Sequence, residues 1–243
     1  MRIGLVCEGP TDVLAVENFI GDQIRRMGLQ PAFRNLFPET DKTRPEGGWS
    51  NLLLWLQRNP AESRVARYFT VGLFGGVAAQ EALDVIIIQI DADVVSDPGL
   101  RAFAQDKLNL QFGECNQPSE RANAMTEIVR RSGDFASLTN VDAERHIVLV
   151  AVEATEAWCV AAFRGQPGEF ESLRGADLTN AFMHALEVSE GRQPQVAYVS
   201  CDKDVQRRRR FCSMFANQSD RIVQSCPQFA NAVNALSVVS GRP

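Results

Sequence analysis

The amino-acid sequence predicts an α/β protein with a parallel sheet flanked by helices and a mainly helical C-terminal extension. An apolar, β-branched run at 84–90 is typical of a strand that is buried on both faces of a parallel sheet. Similar runs at 2–7 and 147–152 are each followed by a helical pattern, as in α/β folds. From residue 164 onward the spacing of apolar residues is mainly helical.

The elements between these runs follow from apolar spacing and turn residues. Apolar residues recur at helical spacing from Val13 to Met27, and Gly28 ends that helix. Residues 31–37 predict a weaker strand. Further helices are expected over about 49–58, most of 60–82, 99–110, 118–131 and the stretch ending at Phe163.

The length of 243 residues fits one large domain, or one domain with a substantial appendage. We expect an α/β domain over residues 1–163, with an insertion at about 38–83. The helical region over residues 164–243 is expected to pack on this domain.

Composition excludes several classes of protein. The net charge of −5 argues against a protein that coats nucleic acid without specificity, although it leaves room for a local basic face. Apolar runs fall far short of the roughly 18 residues that a membrane span needs, and the first residues lack a secretory pattern. We therefore expect a cytoplasmic protein without a membrane partner.

Cysteine and histidine chemistry is poorly supported. The six cysteines are scattered without a C-x-x-C pair, which is typical of reduced thiols in a cytosolic core. The two histidines, His146 and His184, lie in a strand-like run and in the middle of a predicted helix. Any chemistry must therefore fall to carboxylates.

Carboxylates follow each of the three apolar strands. They are Glu8 after the first, Asp91 and Asp93 after the central one, and Glu153 and Glu156 after the last. The carboxyl ends of parallel strands meet at one edge, where ligands bind. Carboxylates gathered there repel one another unless a cation lies among them, and oxygen ligands favour Mg²⁺ or Mn²⁺. One of the last two carboxylates fits a helix start equally well.

The local spacing supports a metal site for phosphate chemistry. In Asp91-Ala92-Asp93, alternate residues point to the same side, so both carboxylates can reach one cation. Glu8 lies on a Gly-Pro turn before a helix, whose N–H groups could help hold a phosphate. Such a site suits phosphoryl transfer or phosphodiester hydrolysis. Asp12 is expected to cap that helix.

The run of arginines at 207–210 has three interpretations. A solvated helix face is the default. A nucleic-acid interface would place Arg207, Arg208 and Arg210 on phosphates, which makes binding salt-dependent. The third interpretation is an interface with the acidic surface of a partner.

Two motifs together resemble the TOPRIM (topoisomerase–primase) domain. They are Glu8-Gly9-Pro10-Thr11-Asp12 and Ile90-Asp91-Ala92-Asp93, and the E-G-x-T-D form resembles the OLD-like (overcoming lysogenisation defect) nuclease branch. Glu153 to Trp158, the stretch around Lys203 and Cys226-Pro227-Gln228-Phe229 are similar to small, stand-alone bacterial TOPRIM proteins. These are often encoded beside an ATPase with ABC- or SMC-type motifs, and several such pairs are antiphage systems.

The resemblance implies a TOPRIM-like core over about residues 1–163 and a role for each matching residue. Glu8 would be a metal ligand or the acid/base group, and Asp91 and Asp93 would be metal ligands. Glu153 or Glu156 would complete a second metal position. Lys203 would stabilise charge on the scissile phosphate, although Asp202 and Asp204 beside it fit a salt-bridged surface lysine as well.

Three functions follow. The first is a Mg²⁺-dependent nuclease that cleaves nucleic acid as the effector of an antiphage system paired with an ABC/SMC-type ATPase. The second is a catalytically silent or gated TOPRIM subunit that binds the ATPase. The third is a hydrolase of nucleotides or small phosphates, although the sequence has neither a Walker A loop nor a G-x-G-x-x-G fingerprint. The nature of the nucleic acid and the existence of a homo-oligomer stay open.

Overall fold

The computed structural model describes residues 1–38, 47–72 and 76–241. Parts of the predicted insertion at 38–83 therefore lie outside the described residues. Within the described ranges, no helix is long and apolar enough to cross a membrane.

A four-stranded parallel sheet forms the centre of the molecule, in the order β2–β1–β3–β4. The predicted α/β class is thereby confirmed. In the register of the sheet, Leu5 lies beside Ile87, which lies beside Ile147. The strands are β1 (Arg2–Cys7), β2 (Ala32–Phe37), β3 (Val85–Asp91) and β4 (His146–Ala151).

Helices precede and follow every strand after the first. Between the strands lie α1 (Pro10–Ala15), α2 (Gly21–Arg26), α3 (Trp49–Arg58), α4 (Ala61–Arg64), α5 (Pro98–Leu108), α6 (Pro118–Ser132) and α7 (Asn140–Glu144). After β4 come α8 (Glu156–Phe163), α9 (Gly175–Ser189), α10 (Val205–Met214), α11 (Ser219–Ser225) and α12 (Pro227–Ser240). A π-helical turn, Val16–Ile20, joins α1 to α2, and another, Val65–Phe69, continues α4.

The helix predicted over most of 60–82 is wrong beyond Phe69. Thr70 is extended, and its carbonyl accepts a hydrogen bond from the N–H of Val77 at 2.9 Å. A Cβ atom on Gly76 would lie 2.3 Å from that same carbonyl oxygen. The close approach of Thr70 to residues 76 and 77 therefore needs glycine at position 76, and the helix ends at Phe69.

The helices lie on both faces of the sheet because the chain crosses it in two directions. The step from β1 to β2 runs to one side, and the step from β3 to β4 runs to the other. Crossovers in parallel sheets share one hand, so their helices must fall on opposite faces. Accordingly, α1 and α2 pack on one face, and α3, α5 and α6 pack on the other.

The helical region after residue 164 shares a core with the sheet. Buried residues of α9 to α12 belong to the same cluster as Leu5, Ile87 and Leu149, and so do those of α8. In that cluster the Phe229 ring packs edge-on against Trp158, with ring centroids 5.3 Å apart. Burial of apolar surface on one side of the sheet thus depends on the last helix of the chain.

A substitution in α12 is expected to destabilise the whole molecule. Phe229→Ala removes a fully buried ring and should lower the free energy of unfolding by about 3–5 kcal/mol. Val238→Ala, on the same helix but exposed, should change it by less than about 0.5 kcal/mol. Denaturant unfolding should show one transition for both variants. A separate transition for the C-terminal helices would contradict the shared core.

Candidate functional site

The crevice beyond the carboxyl ends of β1 and β3 is the place where this sheet should bind a ligand. These strands are neighbours, yet the chain leaves them towards opposite edges of the sheet. Ligands of open α/β sheets bind at such a switch point. Glu8 follows β1 directly, and Asp91 is the last residue of β3.

Glu8 and Asp91 are in contact, although 83 residues separate them in the chain. The backbone N–H of Asp91 donates to Oε2 of Glu8 at 3.1 Å. Between them lies Gln89, a buried residue that the sequence interpretation missed. Its Oε1 accepts from the N–H of Glu8 at 3.3 Å, and its Nε2 donates to Oδ1 of Asp91 at 2.8 Å. The sequence signal for Gln89 was its polar amide side chain in an otherwise apolar strand.

Asp12 belongs to the same site and does not cap its helix, so the prediction of a cap is wrong. Gly9 holds the N-cap position of α1, and no side chain caps this helix. The Asp12 carboxylate lies in the first turn, buried, where Oδ1 accepts a hydrogen bond from Oγ1 of Thr155 at 2.6 Å. The first turn of α1 and the residue before α8 are thereby linked.

The electrostatics of these carboxylates are those of a crowded anionic site. Burial and the charges of Asp12 and Asp93 raise the pKa of Glu8 to about 7, against the lowering effect of the hydrogen bond from Asp91. Burial, followed by the charges of Asp12 and Glu8, raises the pKa of Asp91 well above its usual range. Desolvation also raises the pKa of both Asp12 and Asp93 to about 6. All four groups therefore resist ionisation together.

The carboxylates after β4 already have cationic partners. Oε1 of Glu153 lies 2.8 Å from Nη2 of Arg121 and 3.1 Å from Nε of Arg174. Glu156 pairs with the buried Arg208. The second metal position expected at Glu153 or Glu156 stays a prediction, and these ion pairs leave less negative charge there to attract a cation.

Lys203 faces this site from the C-terminal region. Its ammonium lies 3.7 Å from Oε1 of Glu156, with the side chain 73% exposed. Desolvation lowers the pKa of Lys203, but the charges of Glu156, Asp12 and Asp91 raise it above its usual value. The neighbouring aspartates are engaged elsewhere, because Asp202 pairs with Arg207 and Asp204 caps α10. Among the described contacts, Lys203 thus interacts with the acidic crevice.

One arginine of the run is buried inside the protein and a second is held by carboxylates, which corrects the expected nucleic-acid interface at Arg208 and leaves it a prediction at Arg210. Arg208 is 1% exposed, so it cannot reach a phosphate backbone from this position. Arg207 is held by Glu187, Glu190 and Asp202. Of the three arginines predicted to contact nucleic acid, Arg210 alone keeps a largely exposed side chain, at 65%.

The donor chemistry of the crevice fits Mg²⁺ or Mn²⁺. Within residues 1–38, 47–72 and 76–241, no group of three or more His, Cys, Asp or Glu side chains is already arranged around one metal position. Glu8, Asp12, Asp91 and Asp93 nevertheless supply only oxygen donors and an excess of negative charge. Burial and mutual repulsion raise the pKa values of these carboxylates, and a divalent cation would offset both effects.

The fold and this crevice define an α/β chain with an acidic switch-point site. No protein-family model matches the chain, and no curated protein and no solved structure is significantly similar to it.

The raised pKa values predict how stability depends on pH in the presence of a chelator. Glu8, Asp12, Asp91 and Asp93 bind protons more tightly in the folded than in the unfolded chain. The contribution of Glu8, Asp12 and Asp93 to stability is complete below the unfolded pKa values of about 4 and is lost as the pH rises through 6 to 7, and the raised pKa of Asp91 acts in the same direction. Asp91→Asn should weaken this loss, measured by denaturant unfolding across that range.

The exposed Asp106 of α5 offers a matched control. Asp106→Asn should leave the pH dependence as in the wild type. An equal weakening in both variants would contradict the raised pKa values of the crevice carboxylates.

Proposed function

We propose that the chain is a TOPRIM-type, OLD-like nuclease that hydrolyses phosphodiester bonds in nucleic acid with Mg²⁺ or Mn²⁺. The observation that carries this proposal is the contact between Glu8 and Asp91 at the switch point, with Asp93 close enough to raise the pKa of Glu8. These are the two motifs on which the resemblance rests. Their meeting at a ligand-binding edge supports a joint role.

Different residues of the chain would bind the cation, position its ligands and stabilise charge on the phosphate. Glu8, Asp91 and Asp93 would hold the cation, which supplies Lewis-acid activation of water and of the phosphate when bound. Gln89 holds the two residues in register, since its Oε1 accepts from the backbone N–H of Glu8 and its Nε2 donates to the carboxylate of Asp91. The exposed ammonium of Lys203 is placed to contact a phosphate oxygen and to offset its growing negative charge.

The second part of the proposal concerns the partner. The net charge is −5, and two arginines of the densest basic run, Arg207 and Arg208, are paired with carboxylates of the chain itself. Tight binding of nucleic acid by the chain alone is therefore not favoured. This supports a cytoplasmic effector that acts with an ABC/SMC-type ATPase in antiphage defence. It also favours the second candidate function, a gated or silent subunit whose role is to bind that ATPase.

Substitution of the central carboxylate tests the proposal. Asp91→Ala should reduce Mg²⁺- or Mn²⁺-dependent nicking of DNA or RNA by at least about 100-fold, because it removes a group that holds the cation. Asp106→Ala, with an exposed carboxylate on α5, should cleave like the wild type. Cleavage is measured with and without an ABC/SMC-type ATPase as the proposed partner.

The outcomes separate the two candidate functions. Metal-dependent cleavage that requires the ATPase and disappears in Asp91→Ala supports the gated nuclease. A wild-type rate in Asp91→Ala would contradict the nuclease proposal. Complex formation with the ATPase without any cleavage would leave the silent subunit as the function.

A further inference from the structure

Arg208 is a buried arginine that lies behind the candidate site. The nuclease function proposed above gives it no direct role. Arg208 of α10 is 1% exposed, and its guanidinium stacks 4.5 Å from the ring centroid of Phe182. Nη2 pairs with the carboxylate of Glu156, and Nη1 lies 3.4 Å from Oγ1 of Thr155. A planar group packed in this way presents its donors in fixed directions.

Thr155 connects the fixed guanidinium of Arg208 to the candidate site. It occupies the N-cap position of α8, where a threonine hydroxyl normally accepts a backbone hydrogen bond. No such bond is present in this helix. The hydroxyl donates instead to Asp12, at 2.6 Å and 143 residues away in the chain. The Thr155 side chain therefore does not cap its own helix. It joins the connection between β4 and α8 to the first turn of α1.

We propose that Arg208 is a positioning residue, which holds Thr155 and Glu156 and, through the Thr155 hydroxyl, fixes the Asp12 carboxylate in the crevice. The inference rests on the proposed function, since it assigns Asp12 to the site that binds the cation. It also makes α10 part of that site, because Lys203 and Arg208 flank the start of this helix.

The buried ion pair between Arg208 and Glu156 is poorly explained by a contribution to folding stability alone. A buried ion pair contributes little net stability, because the desolvation of both charges offsets their attraction. Among the described contacts, Nε of Arg208 is buried without a hydrogen-bond partner, which adds to that penalty. Groups behind a metal site that orient its ligands are a common reason for such an arrangement.

Hydrogen exchange of the segment 9–16, measured without metal, tests the positioning role directly. Arg208→Lys keeps the charge but cannot hold two partners in a planar fork, so exchange in this segment should become roughly tenfold faster. Thr155→Val removes the hydroxyl at nearly constant volume and should have the same effect. Thr155→Ser restores the hydroxyl and should return the segment to the wild-type rate.

Arg64 provides a matched control. It is also fully buried, but it donates to the backbone carbonyls of Asn59 and Gly133 on the other face of the sheet. Arg64→Lys should lower global stability and leave the rate ratio between segment 9–16 and the rest of the chain unchanged. Wild-type exchange in both Arg208→Lys and Thr155→Val would overturn the inference.

A Mn²⁺ titration of the same variants separates this inference from the proposed function. Arg208→Lys and Thr155→Val should bind Mn²⁺ roughly tenfold more weakly than the wild type, and Thr155→Ser should bind it normally. If the wild type itself binds no Mn²⁺, the proposed function fails, while the exchange data still decide the positioning of Asp12. Equal Mn²⁺ affinity in the wild type and Thr155→Val would overturn the link from Asp12 to the cation site.

Discussion

Burial of carboxylates at the carboxyl ends of β1 and β3, together with their mutual repulsion, is the constraint around which the site is built. The parallel sheet brings Glu8 and Asp91 into contact, and Asp12 and Asp93 add charge beside them. Folding these groups together costs free energy unless protons or a cation compensate the charge. A cation that relieves this repulsion would bind the folded chain in preference to the unfolded one, and would thereby stabilise it.

The C-terminal region supplies part of the compensation. Arg208 neutralises Glu156 from the interior, and Lys203 approaches the crevice from the exposed side. Both flank the start of α10, and this helix packs on α1, which carries Asp12. The helices after β4 therefore do more than cover one face of the sheet, since they bring positive charge to its acidic edge.

The acidic crevice was predictable because its signals are local. Glu8, Asp91 and Asp93 stand directly after apolar strands, and the geometry of a parallel sheet then brings strand ends together. The role of Arg208 was not predictable, because four consecutive arginines look alike until tertiary packing buries one of them. The hydrogen bond from Thr155 to Asp12 joins residues 143 positions apart, and the local pattern at Asp12 favoured a helix cap.

The most direct test of the account is the position of a bound metal. Crystals of the protein soaked in Mn²⁺ should show an anomalous peak between the carboxylates of Glu8 and Asp91, near Asp93 and the ammonium of Lys203. The peak should disappear in Asp91→Asn crystals treated in the same way. A well-ordered crevice without Mn²⁺, or a peak elsewhere that survives Asp91→Asn, would contradict the metal-dependent site on which the proposed function rests.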